Sequence, residues 1–411
     1  MFEVSLIFIQ LHTKYCGKGN PLDSTSNRKR PPPCCHRESD PTDPDDPRGA
    51  VSCVDVREHV RQIIEEEYKM TMSCRDRVIS ALKQEPLDRP PVAVFTTCDT
   101  IDMMQACGAS WPEAHSDPQK MATLACAQAD YFGLESVRAG FCLTQEAQAL
   151  GCPMDMGGPK SSPMLKGHPY KFDPINQIYE SPDNLPDIDT FLNTGRVKVT
   201  QEAMGIMKKT HGEDYIIIGG NTGPFTLTGH LLNTENLVYA VFTDPAQAEK
   251  WVSAVTPYCK AYAEALVAAG ADLVQMSEPS ASTDILAPDD FPVQSGRFVK
   301  QTFDGLDGYS ILHICGDSAP IIPYMFDTGV TGLSIEEKVD SYKAVEIGQK
   351  RGCLVGNVGC AFPLFKGKPE DVTAAAQKSR DAGFNVISAG CGVPIGTPAD
   401  NIRALVKAIK G

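Results

Sequence analysis

From residue 73 onward, short β-branched apolar runs alternate with longer segments of helical period, and this alternation constrains the fold more than any other feature. The runs are 91–95 (PVAVF), 136–141 (SVRAGF), 215–220 (YIIIGG), 271–278 (ADLVQMSE), 310–315 (SILHIC), 331–336 (TGLSIE), 353–358 (CLVGNV) and 385–390 (NVISAG). They are continuous rather than alternating, the pattern of strands buried on both faces of a parallel sheet. Helical segments at 197–210, 245–269, 341–351, 370–382 and 398–409 separate them. In the second, Trp251, Val252, Val255, Tyr258, Tyr262 and Leu266 make one apolar stripe that reads as core. Eight runs over this length predict an α/β fold of (β/α)8 TIM-barrel type, with a doubly wound open sheet as the alternative.

The N-terminal 70 residues follow a different rule. Residues 2–11 are apolar but lack a basic leader or a small-residue cleavage site, so a secretory signal is disfavoured. Residues 17–50 are rich in Pro, Asp, Ser and Arg, and residues 1–70 read as a disordered extension preceding one domain over 71–411. Cys34, Cys35 and His36 fall there, too few and too close to build a tetrahedral metal site. Ser73 is placed to cap the first regular helix.

Net charge is −14, which disfavours nucleic acid and anionic membranes as partners. No apolar run is long enough to span a bilayer. Fifteen scattered cysteines in a Gly-rich α/β chain point to a reducing, cytoplasmic setting with free thiols, some available as metal ligands.

In a barrel, chemistry sits at the C-terminal ends of the strands. Those ends carry Asn221, Glu278, His313, Cys315, Glu336, Asn357 and Cys391. His313 and Cys315, in LHICGD, are two apart on a strand and therefore share a face. Cys391, between two glycines after the last strand, is the preferred third member; Cys360 in GNVGC competes with it. One imidazole and two thiolates leave a fourth zinc position open, the arrangement of a catalytic site. A thiol entering that position loses its proton to the metal and becomes a nucleophile at neutral pH. Glu336, ahead of Glu337, is a candidate labile ligand or base, and Glu278 has similar standing. Their alternative roles are structural, at the first turns of helices. GGNTGPFT (219–226) reads as a rim turn, and GNVGC lacks the spacing and Lys of a phosphate loop.

The segments RDRVISALKQEPLDRPPV (75–92), GPFT (223–226), PSAS (279–282), LHICG (312–316), GNV (356–358) and AGCGVPIGTPADNI (389–402) together resemble the uroporphyrinogen decarboxylase superfamily. They look most like its methylcobamide:coenzyme M methyltransferase branch of methylotrophic methanogens, over about residues 72–411. The resemblance implies a (β/α)8 barrel with zinc held by His313, Cys315 and Cys391. It implies methyl transfer from methylcobamide on a corrinoid protein to a small thiol, coenzyme M. Asn221, Asn357 and Arg138 are candidate contacts to the bound groups, Arg138 for a sulfonate. The decarboxylases carry an Arg-rich loop after the first strand; the matching stretch, 94–108, has no Arg, which disfavours haem biosynthesis. Glu278 stands where the family more usually has Asp. The alternatives are a metal-independent decarboxylase-like enzyme and a barrel that only binds a corrinoid or tetrapyrrole.

Overall fold

The computed structural model describes residues 72–348 and 351–411. The extension expected over residues 1–70, with its boundary, lies outside the described residues. The first helix, α1 (Cys74–Leu82), is capped by the Ser73 hydroxyl, which accepts the Asp76 amide at 3.0 Å. Strand β1 (Ser136–Ala139) follows, then α2 (Gly195–His211), β2 (Ile216–Thr222), α3 (Pro224–Leu232), α4 (Pro245–Ala269) and β3 (Leu273–Ser277). The rest of the frame is β4 (Tyr309–Ile314), β5 (Gly332–Ile335), α5 (Ser341–Gly348), β6 (Cys353–Val358), α6 (Pro369–Ala382), β7 (Val386–Ala389) and α7 (Ala399–Lys410).

The seven strands form one parallel sheet whose spatial order is their chain order. Each match to an expected run is within about two residues. The first run, 91–95, makes only an isolated bridge, Val92 against Ile387. Pro90 and Pro91 bring no amide hydrogen, so regular pairing cannot start there. That segment is nonetheless bonded on both sides. Ile387 N donates to Pro91 O and Ala93 N donates to Ile387 O, while Glu135 N, beside β1, donates to Val92 O.

The sheet is curled, and its two faces pack differently. Ile216, Ile218, Leu273, Ile311, Cys353, Val355 and Val386 gather in an inner cluster with Ala93 and Phe95. Val78, Ala81 and Leu82 of α1 join the same cluster and seal its N-terminal end. Neighbours one residue away, such as Ile217, Val274 and Leu312, pack outward against the helices. Further along each strand the inner residues become polar. Arg138 on β1, Gln275 and Ser277 on β3 and His313 on β4 follow this register and are all buried. The strands therefore divide the interior into an apolar floor and a polar upper layer, where the cavity opens. Among the described residues, no helix is long and apolar enough to cross a membrane.

Candidate functional site

A cavity of about 320 Å³ lies at the C-terminal ends of the strands. His313, Cys315 and Cys391 line it with Arg138, Gln275 and Ser277. His313 Nε2 is 3.2 Å from Cys315 Sγ, and Cys315 Sγ is 3.4 Å from Cys391 Sγ. All three possible ligand atoms lie within 4.8 Å of one another. The pairing on β4 follows from strand period. Cys391 arrives because the chain after β7 turns back over the mouth, where Thr96 Oγ1 donates to its carbonyl at 2.7 Å.

The imidazole is oriented from behind. His313 Nδ1 faces the Ser334 carbonyl at 3.2 Å and its Oγ at 3.1 Å. A carbonyl only accepts, so Nδ1 carries the proton and Nε2 presents a lone pair towards the two sulfurs. His313 is 2% exposed, whereas both cysteines are partly open to the cavity. The hydrogen bond from Cys315 pulls the Cys391 thiol far down towards thiolate, and the same bond pushes Cys315 up.

This donor set fits a zinc ion. A tetrahedral zinc separates two thiolate sulfurs by roughly 3.8 Å, so a few tenths of an ångström of movement would seat one here. The protonated Nδ1 and the free Nε2 are the tautomer that zinc requires. Three protein donors leave a position facing the cavity.

Cys360 is not one of the three side chains whose ligand atoms converge. Its sulfur donates to Cys391 O at 3.1 Å and accepts Cys391 N at 3.2 Å. Burial pushes its thiol well up, so it keeps the proton this bond uses. Cys360 holds the backbone of Cys391 in place.

The structure brings some expected site residues together and leaves others apart. Arg138 lines the cavity and is 2% exposed. Its Nη1 donates to Gly140 O at 2.6 Å and Nη2 to Gln275 Oε1 at 3.0 Å, while Nε has no partner. A Cβ at Gly220 would collide with this guanidinium, so only glycine fits beside it. Glu336 accepts the Gly316 amide, one residue past Cys315. Gly316 sits at φ +91°, a turn that glycine makes at no cost.

Glu336 is not itself among the lining residues, and neither are Glu278, Asn221 and Asn357. The Glu278 carboxylate is fully buried and accepts Phe225 N at 2.8 Å, Thr226 N at 2.9 Å and Ser295 Oγ at 3.0 Å. It thereby caps α3, whose own N-cap is the side-chain-less Gly223. Asn221 Nδ2 donates to Cys259 O in α4. Asn357 donates to Val339 O and accepts from Ser341 and Ser379, tying β6 to α5 and α6. In this structure the hydrogen bonds of these three side chains run to neighbouring helices and loops: a strand-end polar residue is as easily claimed by the adjoining helix as by the cavity. Sequence reasoning missed Ser334 and the bridging Gln275, which no motif marks.

A uroporphyrinogen decarboxylase (URO-D) family profile matches residues 73–411. The methylcobamide:CoM methyltransferase MtaA of Methanosarcina barkeri is 34% identical over 81% of this chain and 96% of its own length. The methylcobamide:CoM methyltransferase MtbA of Methanosarcina acetivorans is 34% identical over 82% and 97%. A solved structure of a methyltransferase from Methanosarcina mazei superposes with a TM-score of 0.78 at 34% identity, covering 82% of this chain and 98% of that one. A cyanobacterial uroporphyrinogen decarboxylase, from Microcystis aeruginosa, is 27% identical over 58% of the chain and 67% of its own length. The chain belongs to the uroporphyrinogen decarboxylase family and, within it, to the branch of the methylcobamide:coenzyme M methyltransferases.

Proposed function

We propose that this enzyme transfers a methyl group from methylcobamide, carried on a corrinoid protein, to coenzyme M or a close thiol relative. The observation that carries the reading is the convergence of His313 Nε2, Cys315 Sγ and Cys391 Sγ at the cavity. The hydrogen bonds from residues 91–93 to β7 on one side and from Glu135 on the other support a closed (β/α)8 barrel with 91–95 as its eighth stave.

A zinc ion held by His313, Cys315 and Cys391 would take the substrate thiol as a thiolate at neutral pH. The chain's own residues then have distinct tasks. Ser334 keeps the His313 lone pair aimed at the cavity, and Cys360 and Thr96 keep Cys391 beside it. Glu336, whose carboxylate accepts Gly316 N, is assigned as the base that receives the thiol proton. Arg138 is the one cationic side chain among the lining residues and is assigned to the sulfonate of coenzyme M. The partly apolar wall of Phe141, Leu143 and Pro163 keeps water from the sulfur.

Purified protein should hold about one zinc per chain, and His313→Ala, Cys315→Ala and Cys391→Ala should each lose it. With zinc, the protein should demethylate free methylcobalamin only when a thiol is added. Stoichiometric zinc with no thiol-dependent demethylation would overturn the methyl-transfer reading, and activity retained without metal would overturn the zinc assignment.

A further inference from the structure

Two buried ionisable side chains at the cavity wall lack partners for their charge. Asp99 is 1% exposed, and neither of its carboxylate oxygens accepts a hydrogen bond. Arg138 is as deeply buried; its Nη atoms reach only the neutral oxygens of Gly140 and Gln275, and its Nε bonds to nothing. Gln128 joins the two sites. It lies beside Asp99, and its amide is fixed to the Arg138 backbone, Oε1 accepting N at 3.0 Å and Nε2 donating to O at 3.2 Å. Thr96 and Thr97, just ahead of Asp99 in the chain, line the cavity together with Arg138.

A buried cation without a counter-ion is costly. Arg138 is the charged group that acts on Asp99, and Asp99 is the first among the charges that act on Arg138. Burial pushes the Asp99 carboxyl up to about 7, against the pull of Arg138. The other titratable groups facing Asp99 are Cys98, beside it in the chain, and Cys107 on the helix Ile101–Cys107; burial holds both thiols above their usual range. Cys142, Tyr262 and Glu146 also face Arg138. Glu146 differs from Asp99 in being satisfied, since Thr222 N and Oγ1 donate to it at 2.7 and 3.0 Å.

An anion docked on Arg138 changes this balance. Two anions then share one cation, and like charges at close quarters disfavour the ionised form of the weaker acid. A sulfonate keeps its charge at any pH near neutrality, so the carboxyl is the one that yields.

We propose that Asp99 is a positioning residue for acceptor selection: it is the built-in counter-ion of Arg138, and it takes up one proton from solvent when the anionic end of the thiol docks there. This proposal rests on the assignment of Arg138 to the sulfonate. Asp99 acts only through Arg138 and touches neither the metal ligands nor the sulfur.

The sign of the effect is fixed. Proton uptake on binding means that affinity for an anionic thiol is constant while Asp99 is already protonated and falls as pH rises above about 7. The zinc site binds any thiol through sulfur, so the ratio of KM for coenzyme M to KM for 2-mercaptoethanol isolates the sulfonate. In the parent that ratio should rise about five- to tenfold between about pH 6 and 8. In Asp99→Asn it should stay flat, equal to the parent near pH 6 and lower by that factor near pH 8. Glu146→Gln should keep the parent profile. Parallel profiles in the parent and Asp99→Asn would overturn the proposal, as would flattening in Glu146→Gln alone. Calorimetry on the parent in buffers of different ionisation heat needs no variant. Coenzyme M should take up close to one proton more than 2-mercaptoethanol near pH 8, and equal proton counts would overturn the proposal even if Asp99→Asn fails to fold. Arg138→Lys separates the two levels. Equal KM rises for both thiols would remove the sulfonate from Arg138 and the proposal with it. A selective rise for coenzyme M with a flat parent ratio would sink only the role of Asp99.

Discussion

Cys360 grips Cys391 by both of its backbone groups, accepting from N at 3.2 Å and donating to O at 3.1 Å. A cysteine that competes on paper for the metal is thus the support for the one beside it. Ligand sulfur position depends on backbone position, and supporting contacts of this kind are worth about 10–100-fold in metal affinity. Cys360→Ala should therefore keep zinc at one per chain but release it to a chelator at about tenfold lower concentration. Cys391→Ala should not bind it at all. Complete loss of zinc in Cys360→Ala would return Cys360 to the ligand set.

Arg138 offers a test of acceptor recognition. Its guanidinium is the charged group in the polar layer of the sheet interior, next to Gln275 and Ser277. A hydrogen bond to a charged group contributes about 1.5–3 kcal/mol, or roughly ten- to a hundredfold in KM. Arg138→Lys keeps the charge but loses the fork, so KM for coenzyme M should rise about tenfold. KM for 2-mercaptoethanol, which has no sulfonate, should change less than about twofold. Parallel rises for both thiols would show that Arg138 acts only by packing the interior.

Much of this arrangement is legible in the chain, for physical reasons that vary by residue. Strand period alone places His313 and Cys315 on one face, and the parallel order puts the end of β7 at the same mouth. The inner face of β4 runs Tyr309, Ile311, His313, so its change from apolar to polar is visible before any coordinates. The last and the first runs, neighbours in space, behave differently. The run at Val386 forms a strand, while Pro90 and Pro91 leave the run at Val92 with a single bridge. Glu278 was not legible, because its position at a strand end is the same whether it faces the cavity or α3. Only the three-dimensional approach of Gly223, which has no side chain to cap its own helix, draws Glu278 there.

That assignment of Glu278 predicts a separation of stability from activity. Removing the carboxylate orphans the amides of Phe225 and Thr226 and the Ser295 hydroxyl. Each unsatisfied buried group costs about 1–3 kcal/mol. Glu278→Ala should lower the melting temperature by several degrees, while KM for the thiol stays within about twofold of the parent. A large kcat loss at unchanged melting temperature would place Glu278 back in the chemistry.

The base of the fold should fail in acid, and in a defined window. Arg77 grips Asp88 through Nε at 2.7 Å and Nη2 at 2.8 Å, and it also contacts Glu135. Arg89 adds two bonds to Glu135, at 2.8 and 2.9 Å, and Val92 N adds a third. The cluster ties α1, the segment at 88–93 and the start of β1 together. The bond from Arg77 holds the Asp88 carboxyl down at about 2, below its ordinary 3.8. For Glu135, burial pushes upward but is outweighed by Arg89 and the Val92 amide, so it too lies below its ordinary 4.5. A carboxyl depressed in the folded state binds fewer protons than in the unfolded chain, so it stabilises the fold above the unfolded value. That contribution fades as pH falls through the folded value, here between about 4.5 and 2. Melting temperature should therefore drop across that window. Asp88→Asn should melt lower than the parent at pH 7, with the gap closing as pH approaches 3, because the parent's Asp88 is then losing its advantage. Melting curves that stay parallel down to pH 3 would remove Asp88 from the acid response.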